Sequence, residues 1–81
     1  MSGSVDILVP EFGHGLIDAL VVEWLVSVGD HVQRGEVIAV LETDKSSVDL
    51  LAEKTGTVAE IVVAARSITT SGAVLYKLDE R

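Results

Sequence analysis

An all-β fold, a flattened sandwich or barrel built from two similar halves, is predicted by three observations. Short runs rich in Val, Ile and Leu alternate with polar turns, the chain repeats itself at an offset of 37 residues, and its 81 residues contain 48% hydrophobic side chains without a single cysteine. The repeat sets Glu23 on Glu60, Leu25 on Val62, Val26 on Val63, Gly35 on Gly72, Val37 on Val74, Ile38 on Leu75, Leu41 on Leu78 and Glu42 on Asp79. Each half is too small to bury its own apolar face, so the two must pack on each other around an approximate twofold.

Composition bounds the rest. A chain of 81 residues makes one domain, 1–81 with a core at about 5–79, and a mean hydropathy of +0.45 is enough for a small core. Without cysteines, neither disulfides nor a thiolate-bound metal supports the fold. No apolar run approaches the roughly 20 residues that cross a bilayer, and the amino end lacks a basic-then-apolar leader. A soluble, cytoplasmic, monomeric domain is expected, with no membrane partner and no metal. Thirteen acidic residues against six basic give a net charge of −7, which repels phosphate backbones and argues against nucleic acid. The same charge complements a basic partner surface.

Along the chain, a strand is expected near 5–9, followed by the polar segment Glu11-Phe12-Gly13-His14-Gly15. Leu16, Ile17, Leu20, Val21, Trp24, Leu25 and Val28 then recur at helical spacing. Four valines in the nine residues 20–28 favour a strand, because branched side chains fit a pleated surface better than a helix. In that strand Val22, Trp24, Val26 and Val28 face one side, Glu23 and Ser27 the other, and Trp24 is a core or half-buried packing residue. Further strands are expected near 37–42, 47–52, 57–64 and 73–79.

Between the apolar runs 37–41 and 48–52 stands the charged peak Glu42-Thr43-Asp44-Lys45-Ser46, read as a tight turn joining two strands. Such a turn holds Lys45 out to solvent, where an enzyme can reach its amine. The same offset of 37 carries Lys45 to position 82, just past the last residue, so the lysine turn and the carboxy terminus are expected at opposite ends of the domain. A lone exposed lysine is ordinarily a solubilising charge. Here its context, the repeat and Gly56 eleven residues on weigh the other way.

These residues carry a resemblance. The stretch 42–50 with Gly56, together with Val9-Pro10, Glu23-Trp24-Leu25-Val26 and Val28-Gly29-Asp30-His31-Val32 with Gly35, resembles the lipoyl domain of the biotinyl/lipoyl-attachment family. The likeness is to the domain in the acyltransferase (E2) component of 2-oxo acid dehydrogenase complexes and spans about residues 5–79. It implies a barrel-sandwich hybrid with lipoic acid in amide linkage on Lys45, as a swinging arm for acyl groups and electrons. The domain would have no active site of its own, and tethering would make each encounter nearly intramolecular. The implied partners are the 2-oxo acid decarboxylase (E1), which reductively acylates the arm, the acyltransferase core (E2), dihydrolipoamide dehydrogenase (E3), which reoxidises it, and a lipoate ligase or lipoyl transferase. In a eukaryote the implied compartment is the mitochondrial matrix. Recognition is expected from Glu42, Thr43, Asp44, Ser46 and Asp49 around the turn, and from Phe12 and His14 in the loop that the family places beside it.

Two readings remain beside this one. Biotinyl carriers share the hairpin, but they resemble one another in flanking their lysine with methionines, where this chain has Asp44 and Ser46. An unmodified β-sandwich serving as an interaction module is the other. A glycine-cleavage carrier is longer and differs around its lysine. No nucleophile, base and pocket can be assembled into an enzyme site. Lys54 and Lys77 read as surface charges, His14 and His31 as loop residues, and Gly13 and Gly15 form no nucleotide motif.

The repeat also marks departures from the family pattern. Gly29-Asp30, suited to positive φ, corresponds to Arg66-Ser67, Val32 corresponds to Thr69, and Leu51 stands where the family has proline. Loop 65–71 is therefore either remodelled or holds Arg66 in a left-handed conformation.

Overall fold

Apolar alternation produces eight strands and, among the described residues, no helix. The computed structural model describes residues 4–10, 18–44 and 46–80. The strands are β1 (Ser4–Leu8), β2 (Asp18–Trp24), β3 (His31–Val32), β4 (Val37–Glu42), β5 (Ser47–Leu51), β6 (Gly56–Ile61), β7 (Ile68–Thr70) and β8 (Val74–Asp79). They form two four-stranded antiparallel sheets, ordered β1-β8-β6-β3 and β5-β4-β2-β7. The five main strands predicted outside the 16–28 region are present. The strand expected near 57–64 stops at Ile61, and the two short strands β3 and β7 were not anticipated.

The twofold is written into the hydrogen bonds. Leu20, Val21, Glu23 and Trp24 of β2 pair with Glu42, Leu41, Val40 and Ala39 of β4. Thirty-seven residues later, Thr57, Val58, Glu60 and Ile61 of β6 pair with Asp79, Leu78, Lys77 and Tyr76 of β8, and the register shifts at the equivalent step. Loops repeat as faithfully. The Gly29 amide donates to Val58 O at 2.8 Å and that of Arg66 to Val21 O at 2.6 Å, while Gly35 donates to Ala52 O and Gly72 to Val9 O. Arg66 has φ 72° beside 96° for Gly29, so of the two alternatives for loop 65–71 the left-handed one holds. Its amide bond and that of Ser67 to Ala64 O reproduce those of Gly29 and Asp30.

The strand reading of 20–28 holds only as far as Trp24, where β2 ends, and the facing of its residues needs correction. β2 shifts register between Val21 and Glu23, and a bulge reverses which residues face inward. Ala19 and Val21 are buried before it; Trp24 and Val26 pack on the core after it. Val28 lies beyond the strand end at 58% exposure. Leu16 and Ile17 lie outside the described residues.

Side chains from both sheets fill one core. Val21, Ile38 and Leu41 meet their counterparts Val58, Leu75 and Leu78, all essentially inaccessible; each such side chain contributes about 1.5–3 kcal/mol relative to exposure. Tyr76, 1% exposed, meets Trp24 edge to face at 5.8 Å and 80°. The Trp24 indole N–H donates to Val63 O at 2.9 Å. Burial and the Glu53 carboxylate push the Tyr76 phenol up to about 12.

This frame places the turn 43–46 and the strand pair Ser4↔Asp79 at opposite ends of a molecule measuring 39 × 21 × 21 Å. Asp18 and Leu20, at the start of β2, lie beside the Glu42 end of β4. The chain then runs the length of the domain to Gly29, which bonds Val58. Val58 pairs with Leu78, one residue from the terminal pair Ser4↔Asp79.

Candidate functional site

The turn is built on two well-anchored strands. Leu41, fully buried, faces Val48 across the β4–β5 ladder, and Glu42 faces Ser47 as the last pair. Beyond it the Thr43 amide donates to Ser46 O at 2.9 Å. The Thr43 hydroxyl donates to the same oxygen at 3.2 Å, and the Ser46 amide donates back to Thr43 Oγ1 at 3.3 Å. The connection 43–46 therefore has two central residues, Asp44 and Lys45. Lys45 lies outside the described residues, as do Phe12 and His14.

Of the remaining predicted recognition residues, Glu42, Asp44, Ser46 and Asp49 are exposed and Thr43 is half-buried. Asp49 stands two pairs down the ladder, opposite Val40. A shallow groove beside the turn is lined by Asp18, Ala19, Leu20, Glu42, Thr43, Asp44 and Ile68. It adds Asp18 to the predicted carboxylates, and an apolar floor that the sequence did not reveal, because the β2–β7 pairing Leu20↔Ile68 joins residues far apart in the chain. The closing role of the Thr43 hydroxyl was also missed, although Thr and Ser at this spacing carry the signal of a side-chain-closed turn.

Other candidates resolve as surface features. The amines of Lys54 and Lys77 lie 3.5 Å from Glu80 and 3.9 Å from Asp6 in exposed pairs near the terminal end. His31 is exposed on β3. Among the described residues no group of three His, Cys, Asp or Glu is placed to hold a metal ion.

The turn 43–46 joins β4 to β5, neighbours in one of two twofold-related sheets, and comparison with known proteins decides what kind of domain carries it. The profile of the biotin/lipoyl attachment family, described as biotin-requiring enzyme, matches residues 5–78. The chain belongs to this family. Within the biotin/lipoyl family it is similar to the lipoyl domain of the 2-oxoglutarate dehydrogenase complex from Azotobacter vinelandii. The two are 39% identical with a TM-score of 0.75 over 94% of this chain and 96% of that one. It is also similar to the dihydrolipoyllysine-residue acetyltransferase component of the pyruvate dehydrogenase complex of Staphylococcus aureus, 33% identical over 70 residues or 86% of the chain. The same component from Staphylococcus epidermidis is 31% identical over the same share. The chain spans 16% of the length of these two relatives. The fold is thus that of a lipoyl domain, two sheets of four strands.

Proposed function

We propose that this chain is the lipoyl carrier domain of the acyltransferase component of a 2-oxo acid dehydrogenase complex, with lipoate in amide linkage on Lys45. The observation that carries this reading is the turn 43–46, closed on itself and set at the end of the domain opposite the terminal strand pair. A covalent group fits there: Asp44 and Ser46 on either side are exposed, so an attachment between them displaces nothing from the core. Bound lipoate supplies acyl and electron transfer through its dithiolane. The protein supplies a rigid mount, a tether point remote from the working end, and charge. Glu42, Asp44, Asp49 and Asp18 make that end acidic, which favours approach of a basic entrance on the decarboxylase, on dihydrolipoamide dehydrogenase or on the modifying ligase.

Intact mass with peptide mapping tests the reading, after incubation with lipoate ligase, ATP and lipoate and a parallel reaction with biotin ligase and biotin. One lipoyl increment confined to Lys45 is expected, absent from Lys45→Gln while that variant still unfolds cooperatively. A biotin increment alone would assign the chain to the biotinyl branch; folded protein that accepts neither group would make it an unmodified module.

A further inference from the structure

A hairpin turn with two central residues ordinarily relies on Asn-Gly, Asp-Gly or a leading glycine, which reach the positive φ values that the favoured turns demand. Asp44-Lys45 contains no glycine, and Asp44 is not among the described residues with positive φ, so this turn is not of that kind and is closed in another way. The Ser46 amide donates to the side-chain oxygen Thr43 Oγ1. The same hydroxyl donates to Ser46 O, which also receives the Thr43 amide. Three bonds thus join one pair of residues, and two of them run through a single side-chain oxygen. Thr43 is branched at Cβ and therefore stiff at χ1, and it is half-buried against the groove that Ala19 and Leu20 line.

We propose that Thr43 is a positioning residue for modification: its hydroxyl is the latch that closes the turn on Ser46, and the ligase acts on the closed turn. This rests on Lys45 being the lipoate attachment site. Thr43 acts through the turn and makes no contact with the ligase's reacting atoms.

Thr43→Val removes the oxygen and keeps the branching; Thr43→Ser keeps the oxygen. When only a fraction of molecules holds the competent turn, apparent affinity falls by that fraction. The KM of lipoate ligase for T43V should therefore rise about five- to tenfold with kcat within about twofold, and T43S should restore it. Exchange of the Ser46 amide with solvent, followed by NMR, should be about tenfold faster in T43V and near wild type in T43S. Thermal midpoints within about 3 °C of wild type show that the variants are folded; if T43V does not fold, T43A tests the same loss. A folded T43V with wild-type KM, or with an equally protected Ser46 amide, overturns the proposal. So does a fall in kcat at unchanged KM, which would put Thr43 in the ligase's active site. Failure of the wild-type domain to take lipoate would instead sink the carrier reading, and the latch would then stand or fall on Ser46 exchange alone.

Discussion

In the first half Trp24 stands across the ladder from Ala39; in the second, Ile61 stands across from Tyr76. The hydrogen bonds of the halves repeat almost bond for bond, yet at these four positions the side chains do not. Ladder bonds are made by backbone groups that nearly every residue carries, so they can be copied. A core shared by two sheets is filled only once. Trp24 and Tyr76 come from opposite halves and meet edge to face, and two faithful copies would set either two indoles or two phenols against the shared core, overfilling or underfilling it. Backbone symmetry here coexists with packing that must be asymmetric.

The largest expected effect lies at Gly56, whose counterpart in the first half is Ala19. A Cβ on Gly56 would fall onto the Asp79 carbonyl oxygen and within 3.0 Å of Leu78 Cγ. Backbone cannot yield as a side-chain tip can, so Gly56→Val should cost about 3 kcal/mol or more in urea unfolding, whereas Ala19→Gly should cost roughly 1 kcal/mol. Equal costs would mean that the halves are tighter copies than the side chains indicate.

Next comes Trp24→Phe, which removes the donor to Val63 O and part of the ring facing Tyr76. A loss of about 1–2 kcal/mol is expected, and Ile61→Val at the equivalent position should lose less, about 0.5–1.5 kcal/mol. Arg66 sharpens the comparison in the opposite direction. At φ 72° a side chain strains the backbone that Gly29 adopts freely, so Arg66→Gly should stabilise by roughly 1 kcal/mol and Gly29→Ala should destabilise by a similar amount. Thermal midpoints of the two variants moving the same way would refute the equivalence of the two turns.

The smallest effect at neutral pH is expected for Tyr76→Phe. The phenol oxygen is buried without a hydrogen-bond partner among the described residues, so its removal should change stability by less than about 1 kcal/mol, toward stabilisation. Its pH signature is clearer. The phenol ionises near 10 when unfolded and at about 12 when folded. Between those values the unfolded chain binds fewer protons, so the Tyr76 contribution is fully present below pH 10 and is lost as pH rises toward 12. Denaturant midpoints of wild type should decline over that window more steeply than those of Tyr76→Phe.

Much of this architecture was legible because the repeat reports register directly. Leu41 over Leu78 and Ile38 over Leu75 fix which strands correspond, and correspondence in a twofold sandwich fixes the pairing. A second signal went unread. Ser4-Val5-Asp6-Ile7-Leu8 and Ser47-Val48-Asp49-Leu50-Leu51 are near copies at an offset of 43, not 37, and they are the twofold-related edge strands β1 and β5. The offset differs because β5 follows its partner β4 through the lysine turn, whereas β1 comes before its partner β8 at the far end of the chain. The bulge at Val22 was illegible because Val21 and Val22 are equally apolar, and β3 and β7 are too short to show a period. Of the candidate site, the acidic residues Glu42, Asp44 and Asp49 could be read from residue type alone. The groove formed by Leu20 and Ile68 exists only through long-range pairing, and no local pattern announces it.

The terminal pair also has a mechanical meaning. β1 and β8 run antiparallel with Ser4 opposite Asp79, so these two points lie side by side at one end of a 39 Å rod. Tension drawn through those two points loads the ladder one rung at a time, from Ser4↔Asp79 inward, the weak unzipping mode and not the strong shearing one. The sheet that bears the lysine turn lies outside that load path. A pull on Ser4 and Asp79 would peel β1 before it disturbed a single bond of the 43–46 turn.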